Sequence, residues 1–197
     1  SYISLRSLHE NLKANQLLNT SEVAATDELQ TAPVQTLTSV QSLTFKPEKA
    51  PRLVVLKVPR ALALLEQQLI DLQKYVTPET RIVATGKVKA ITKSVLNLFE
   101  RYIGPTTTSL AKKRSRLVFA TPRESLKLSD SPYPTRWQCK STMGAPLTID
   151  NLANAFSRQS LDIGARIMLE HMTVSANDVV VDLGCGNGVL GVNALTL

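Results

Sequence analysis

The chain is poor in the residues that build disulfide scaffolds and metal centres: it has two cysteines, two histidines and one tryptophan in 197 residues. Cys139 and Cys185 cannot form a disulfide framework, so a packed core must hold the fold, and two free thiols suit a reducing, cytoplasmic setting. His9 and His171 lack companions at ligand spacing, which argues against a metal centre. No apolar run approaches the ~20 residues that span a bilayer, and no repeat suggests a solenoid. Acidic residues are scarce as well: 16 against 23 Lys and Arg give a formal charge of +7. The imbalance is local. From Arg81 to Lys140, 13 cationic residues face only Glu100, Glu124 and Asp130, a net of +10 that leaves the remainder at −3. Such a section fits either a surface that meets a polyanion or a solvated face. The chain opens on Ser1 rather than Met, so the expectation is that the natural start lies upstream, and targeting-signal arguments do not apply.

What is present is α/β material. Residues 2–18 place Ile3, Leu5, Leu8, Leu12 and Leu18 at loosely helical spacing; residues 19–35 read as a loop and 36–43 as a short strand. "RLVVLKV" is an unbroken apolar run, as expected of a strand covered on both faces. Pro59 follows, then a helix through Val76 with the stripe Leu62, Leu65, Leu69, Leu72 and Val76. "TRIVAT" gives the next strand, and residues 88–105 the next helix, with Ile91, Val95, Leu98, Phe99 and Tyr102 inward and Gly104-Pro105 as its stop. "TTTSLAKKRSRLVFAT" reads as a hairpin turning at "KKRS". The proline-rich stretch from Thr121 to Thr135 reads as a linker. "RWQCK" is an isolated strand candidate, and a helix from about Ser160 would carry Leu161, Ala165, Met168 and Met172 on one side.

The strongest motif stands near the end, "VVVDLGCGNGVLG". Valines predict a buried strand; Gly184, Gly186 and Gly188 alternate after Asp182, and a helix follows. The dehydrogenase fingerprint G-x-G-x-x-G would need glycine where this chain has Val189. What stands here is D-x-G-x-G-x-G, the first motif of Rossmann-like methyltransferases that use S-adenosylmethionine. The glycines permit a sharp turn and leave space for a cofactor. Asp182 is expected to order the loop or meet the cofactor's amino group, and Cys185 and Asn187 complete the loop.

Four segments, "LKVPRALALLEQQL", "GPTTTSLAKK", "FSRQSLDIGARIML" and "VVDLGCGNGVLG", together resemble the bacterial ribosomal RNA guanine-N2 methyltransferases with tandem methyltransferase-like domains. The resemblance runs over nearly the whole chain. It implies an α/β, Rossmann-like fold: a degenerate, RNA-binding domain over residues 1–121, itself incomplete; a linker and strand over 122–145; and the start of a catalytic domain over 146–197. It implies S-adenosylmethionine as cofactor, with Phe156, Ser157 and Asp162 beside the glycine loop, although the same residues also read as helix entry and capping. In such enzymes an Asn-Pro-Pro-Phe sequence clamps the guanine amine. This chain has none, and the matching strand end in the first domain reads Lys57-Val58-Pro59-Arg60. Cationic side chains cannot accept hydrogen bonds from an amine, so that domain should be chemically inert, with Lys57 and Arg60 free for phosphate or for solvent. The chain is thus expected to be a fragment without catalytic residues.

Lys112, Lys113, Arg114 and Arg116 form a basic cluster read as RNA contact or as a solvated turn. Trp137 beside Arg136 could stack on a base, though a lone tryptophan more often packs. The expected function is transfer of a methyl group to one guanine of large-subunit (23S) ribosomal RNA, protein-free or partly assembled, with no membrane or metal partner. The alternatives are a methyltransferase acting on a small molecule and, for this chain alone, an RNA-binding module.

Overall fold

A computed structural model describes Asn11, residues 50–155 and residues 159–196. The helix, loop and strand expected before residue 44 lie outside the described residues, as do Phe156 and Ser157. Residues from Ala50 onward form one compact unit. Its first part is strand β1 (Leu53–Lys57), helix α1 (Leu62–Leu72), β2 (Arg81–Lys87), helix α2 (Lys93–Tyr102), β3 (Thr106–Thr108) and β4 (Ser115–Ala120). The sheet order is β1-β2-β4-β3. β1 and β2 are parallel, with Leu53 opposite Arg81 and Lys57 opposite Thr85. β4 runs antiparallel to both β2 and β3. This is the helical-crossover sheet that the alternation of periods predicts.

One face of the sheet carries the core. Ile82, Ala84, Val118 and Ala120 lie beneath Leu65, Leu69 and Ile70 of α1 and Val95, Phe99 and Tyr102 of α2, all buried. The expectation that β1 is covered on both faces fails: Val54 and Leu56 pack on the core, but Val55 is 73% exposed and Leu53 is exposed too. Among the described residues α1 and α2 lie on the same side, so alternate strand residues meet no second layer. The α1 stripe shifts for a related reason. Leu62 is exposed and Ile70 is buried, because α1 packs against α2 as well as against the sheet. The second predicted helix divides into a single turn, Val88–Ala90, and α2 proper. The Thr92 hydroxyl starts α2 by accepting from the Val95 N–H at 3.4 Å. Gly104 ends it where nothing larger fits, since a Cβ there would stand 2.3 Å from the Thr121 carbonyl oxygen.

The second part is β5 (Thr135–Lys140), β6 (Pro146–Asn151), α3 (Ile163–His171) and α4 (Val189–Ala194). β5 is not isolated: it pairs antiparallel with β6, Trp137 opposite Ile149. β6 has no counterpart among the predicted elements, though Leu147, Ile149 and Asn151 alternate inward along it. Leu147, Ile149 and Val189 form a small second core with Trp137, Cys139, Leu161, Ala165 and Leu190 against it. In α3 the buried residue is Leu169, and Met168 is exposed.

The stretch between the two parts is pinned to α1. The Gln73 side chain donates to the Tyr102 carbonyl (2.7 Å) and accepts from the Ser129 N–H (2.7 Å). Ser131 donates to Gln67. Glu66 takes Tyr102 Oη at 2.6 Å on one oxygen and Tyr133 Oη at 2.8 Å on the other. Burial, and then the bond to Glu66, push the Tyr102 phenol up to about 12.

The strand predicted before the glycine loop does not form. Residues 178–182 have no strand pairing, and Val179, Val180, Val181 and Leu183 are exposed. A strand needs neighbours on its edges, and among the described residues β5 and β6 pair with each other and leave the valine run without one. Among the described residues no helix is long and apolar enough to cross a membrane.

Candidate functional site

The glycine loop takes the conformation that its sequence calls for. Gly184, Gly186 and Gly188 have φ of +77°, +58° and +76°, the left-handed region that costs L side chains about 1–2 kcal/mol. A Cβ on Gly184 or Gly188 would meet nothing within 4 Å. Backbone conformation therefore demands these glycines, and the space before them is open.

That space is a cleft of about 290 Å³ lined by the loop, by Asp162 and Leu161 ahead of α3, by Ala165 and Met168 on α3, and by Trp137 of β5. Of the residues expected at the cofactor, Asp162, Asp182, Gly184, Cys185, Gly186 and Asn187 all line it. Asp162 also caps α3, one carboxylate oxygen accepting from the Gly164 N–H (3.0 Å) and the Ala165 N–H (3.4 Å). Asp182 Oδ2 is buried and has no hydrogen-bond partner. A carboxylate oxygen closed from water and unbonded is costly, on the order of 1–3 kcal/mol or more, and it is unusual enough to signal a missing donor.

Two buried asparagines that belong to no sequence motif fix the glycine loop and α4 to the hairpin. Asn151, fully buried on β6, donates to the Ile149 carbonyl (3.0 Å) and accepts from Asn187 Nδ2 (2.9 Å). Asn187 in turn accepts from the Val189 N–H at 3.2 Å. Asn193 of α4 accepts from the Thr142 N–H in the β5–β6 turn (2.9 Å). The signal available in sequence is faint: asparagine is mostly exposed, and only tertiary structure shows which asparagines are enclosed.

The cations gather elsewhere. Because β1 and β2 are parallel and β4 runs back, the ends of β1 and β2 and the start of β4 share one end of the sheet. Lys57 and Arg60 stand there after β1, Lys87 and Lys89 after β2, and Lys112, Lys113 and Arg114 before β4, all exposed. Val88 N–H donates to the Arg114 carbonyl at 3.0 Å, which ties the β2 exit to the hairpin tip. Lys87 and Lys89 lie in no basic run, and only the register reveals that they join the others. Arg116 departs from the expected cluster: it shares the face of Val118 and Ala120, is half-buried, and its Nε is unpartnered.

The hairpin tip is strained. Lys112 and Ser115 exchange backbone bonds of 2.9 and 3.0 Å around Lys113 and Arg114, whose φ values are +49° and +61°. A two-residue turn with both φ positive is type I′, where Asn-Gly is the favoured pair. Here two long cationic side chains occupy it.

Trp137 is not presented as a free stacking platform; it packs on the second core and walls the cleft. Arg136 pairs with Asp150 across the hairpin (2.7 Å). This bond holds the Asp150 carboxyl below its usual range. Cys139 is half-buried and burial pushes its thiol up, whereas Cys185 is exposed. Among the described residues no cluster of His, Cys, Asp and Glu could hold a metal ion.

The model of the RLMG N-terminal domain matches residues 1–124, and that of the methyltransferase small domain matches residues 146–196. A ribosomal RNA large subunit methyltransferase G from Alteromonas mediterranea is 81% identical over the whole chain, which covers 48% of that protein. The one from Pseudoalteromonas atlantica is 49% identical over 99% of the chain and 46% of its own length. The chain thus spans about half the length of the curated relatives it matches. Among solved structures, the T. thermophilus 16S rRNA N2 methyltransferase RsmC, in complex with AdoMet and guanosine, aligns with a TM-score of 0.51 at 18% identity, covering 61% of this chain and 33% of that one. At that identity the match speaks for the fold.

Proposed function

The chain belongs to the RLMG N-terminal domain family, and from that membership we propose that it is part of an enzyme that methylates the exocyclic N2 of one guanine in 23S, large-subunit ribosomal RNA. S-adenosylmethionine, when bound, supplies an electrophilic methyl group on a sulfonium centre. The cleft fits such a ligand: Asp182 offers an unpartnered carboxylate oxygen, and the loop leaves open space before Gly184 and Gly188. Asp182 and the Gly184–Gly188 loop would hold it, with Phe156, Ser157 and Asp162 contributing from the segment ahead of α3.

The cationic end of the sheet carries the RNA part of the reading. Seven exposed Lys and Arg from three chain segments converge where ligands commonly bind in open α/β sheets, outside the carboxyl ends of parallel strands. Among these segments no carboxylate interrupts them. Phosphate contacts of this kind position an RNA without reading its sequence. The target base must also be unstacked to reach a cofactor, which favours protein-free or partly assembled RNA over a packed ribosome.

The division of labour is then a degenerate, RNA-anchoring domain through residue 121, a linker and strand through 145, and the opening of the catalytic domain from 146. Nothing in the chain supplies the Asn-Pro-Pro-Phe clamp, so the chain by itself anchors RNA without transferring methyl. The unpaired Val179–Val181 run favours this narrower reading of the isolated chain. Mass mapping of ribosomal RNA from cells lacking the gene, with rescue by the complete protein, tests the proposal. Loss of one N2-methylguanine in 23S RNA is expected, and an unchanged map refutes it. A small-molecule methyltransferase would instead bind its substrate with little salt dependence.

A further inference from the structure

We propose that Glu66, Gln67 and Gln73 are positioning residues: by strapping the linker to α1 they fix the span between the cationic end of the sheet and the glycine-loop cleft, and this span selects the guanine that is methylated. The proposal rests on the function proposed above. Phosphate contacts hold an RNA without reading its bases, so an enzyme anchored in that way needs another source of selectivity. A fixed distance from anchor to cleft is one, and it requires that no slack lie between them.

The linker forms neither helix nor strand before Thr135, so it is only as firm as its contacts. Three points hold it, in reverse order along α1. The Ser129 N–H donates to Gln73 Oε1 at 2.7 Å, Ser131 Oγ to Gln67 Oε1, and Tyr133 Oη to Glu66 Oε2 at 2.8 Å. The linker therefore lies antiparallel to α1. Tyr102 of α2 fixes two of these α1 groups in turn: its hydroxyl donates to Glu66 Oε1 at 2.6 Å, and its carbonyl accepts from Gln73 Nε2 at 2.7 Å. Gln73 and Tyr102 are buried, where breaking a hydrogen bond leaves a polar group unmet.

Each end of the strap meets a functional part. α1 follows Lys57 and Arg60, and its 11 residues lead about 16 Å away from the cationic end. The last strap bond, at Tyr133, lies two residues before β5, which pairs with β6. Asn151 of β6 accepts from Asn187 of the glycine loop at 2.9 Å. A continuous series of pairings thus runs from Arg60 to the loop.

Two variants of the complete protein test the proposal. Glu66→Ala combined with Gln67→Ala cuts two straps and leaves every cation of the anchor in place. Insertion of Gly-Gly between Pro134 and Thr135 keeps all the strap bonds and adds up to about 7 Å of slack beyond them. Faster tryptic cleavage after Lys127, exposed in the linker, reports release in the first variant. Mass mapping of 23S RNA locates the methylated guanines, and filter binding measures RNA affinity. For both variants the expected result is unchanged RNA affinity, turnover on the native guanine at saturating RNA reduced at least about tenfold, and methyl groups on neighbouring guanines. If both variants methylate the wild-type guanine alone at the wild-type rate, the span does not select the base; the proposal is then wrong and the proposed function stands. Loss of RNA affinity in proportion to turnover in both variants would assign the strap to folding of the anchor and overturn the proposal as well. If the wild-type protein methylates no guanine of 23S RNA, the strap proposal and the function beneath it fall together.

Discussion

Replacing the hairpin tip Lys113-Arg114 by Asn-Gly should make the protein more stable and a poorer RNA binder at once. Both residues sit at positive φ in a two-residue turn closed by Lys112 and Ser115. Each non-glycine residue held there costs on the order of 1 kcal/mol. Asn tolerates the left-handed region and Gly adopts it freely. The pair of substitutions Lys113→Asn and Arg114→Gly should therefore stabilise the fold by about 1–2 kcal/mol, which for a domain of this size raises Tm by roughly 2–8 °C. The same change removes two cations from the end of the sheet that also carries Lys57, Arg60, Lys87 and Lys89. Each cation neutralising a single-stranded phosphate contributes about 0.7 to the salt slope. The slope of log K against log salt should fall by about 1.4, and affinity near physiological salt should drop about tenfold. Thermal unfolding followed by circular dichroism and filter binding of a 23S RNA fragment at several salt concentrations measure the two effects. Opposite movements exclude a trivial loss of folding, since a misfolded variant would lose both. A variant that binds RNA with unchanged salt slope would refute the assignment of the tip to phosphate. A variant less stable than the parent would refute the strain argument.

Other outcomes are expected at other places in the fold. Gly104→Ala should destabilise by roughly 1–3 kcal/mol in urea unfolding, because its Cβ would press on the Thr121 carbonyl at 2.3 Å; wild-type stability would show that the chain there yields freely. Cys185, exposed on the glycine loop, should react with iodoacetamide well before Cys139, which is half-buried and whose thiol is pushed up by burial. Peptide mapping with S-adenosylmethionine present should show Cys185 protected, and equal labelling with and without it would count against the cleft. The Tyr102 phenol is held protonated in the folded state to about 12, against 10.0 unfolded. A raised acid pKa stabilises fully below the unfolded value and is lost as pH climbs through the folded one. Stability should thus fall between about pH 10 and 12, by on the order of 2 kcal/mol, and Tyr102→Phe should flatten that part of the profile.

The sequence by itself determined what depends on neighbours along the chain. Three alternating glycines predict a left-handed loop, and each has positive φ, because that preference belongs to single residues. The helical spacing in α2 predicts Val95, Phe99 and Tyr102 inward, and Asp162 and Thr92 serve as caps for bonds that reach only two or three residues ahead. The cationic excess is a property of composition and needs no fold to exist. Only tertiary structure decided the rest. Whether Val179–Val181 becomes a strand depends on edges supplied from far away, and none is supplied among the described residues. Ile70 rather than Leu62 is buried because α2 lies beside α1. Lys87 and Lys89 join Lys57 and Lys113 through strand register, and Trp137 reaches the glycine loop through a hairpin whose second strand is only six residues long. Pairing and burial are relations between distant segments, and no local pattern encodes which segments will meet.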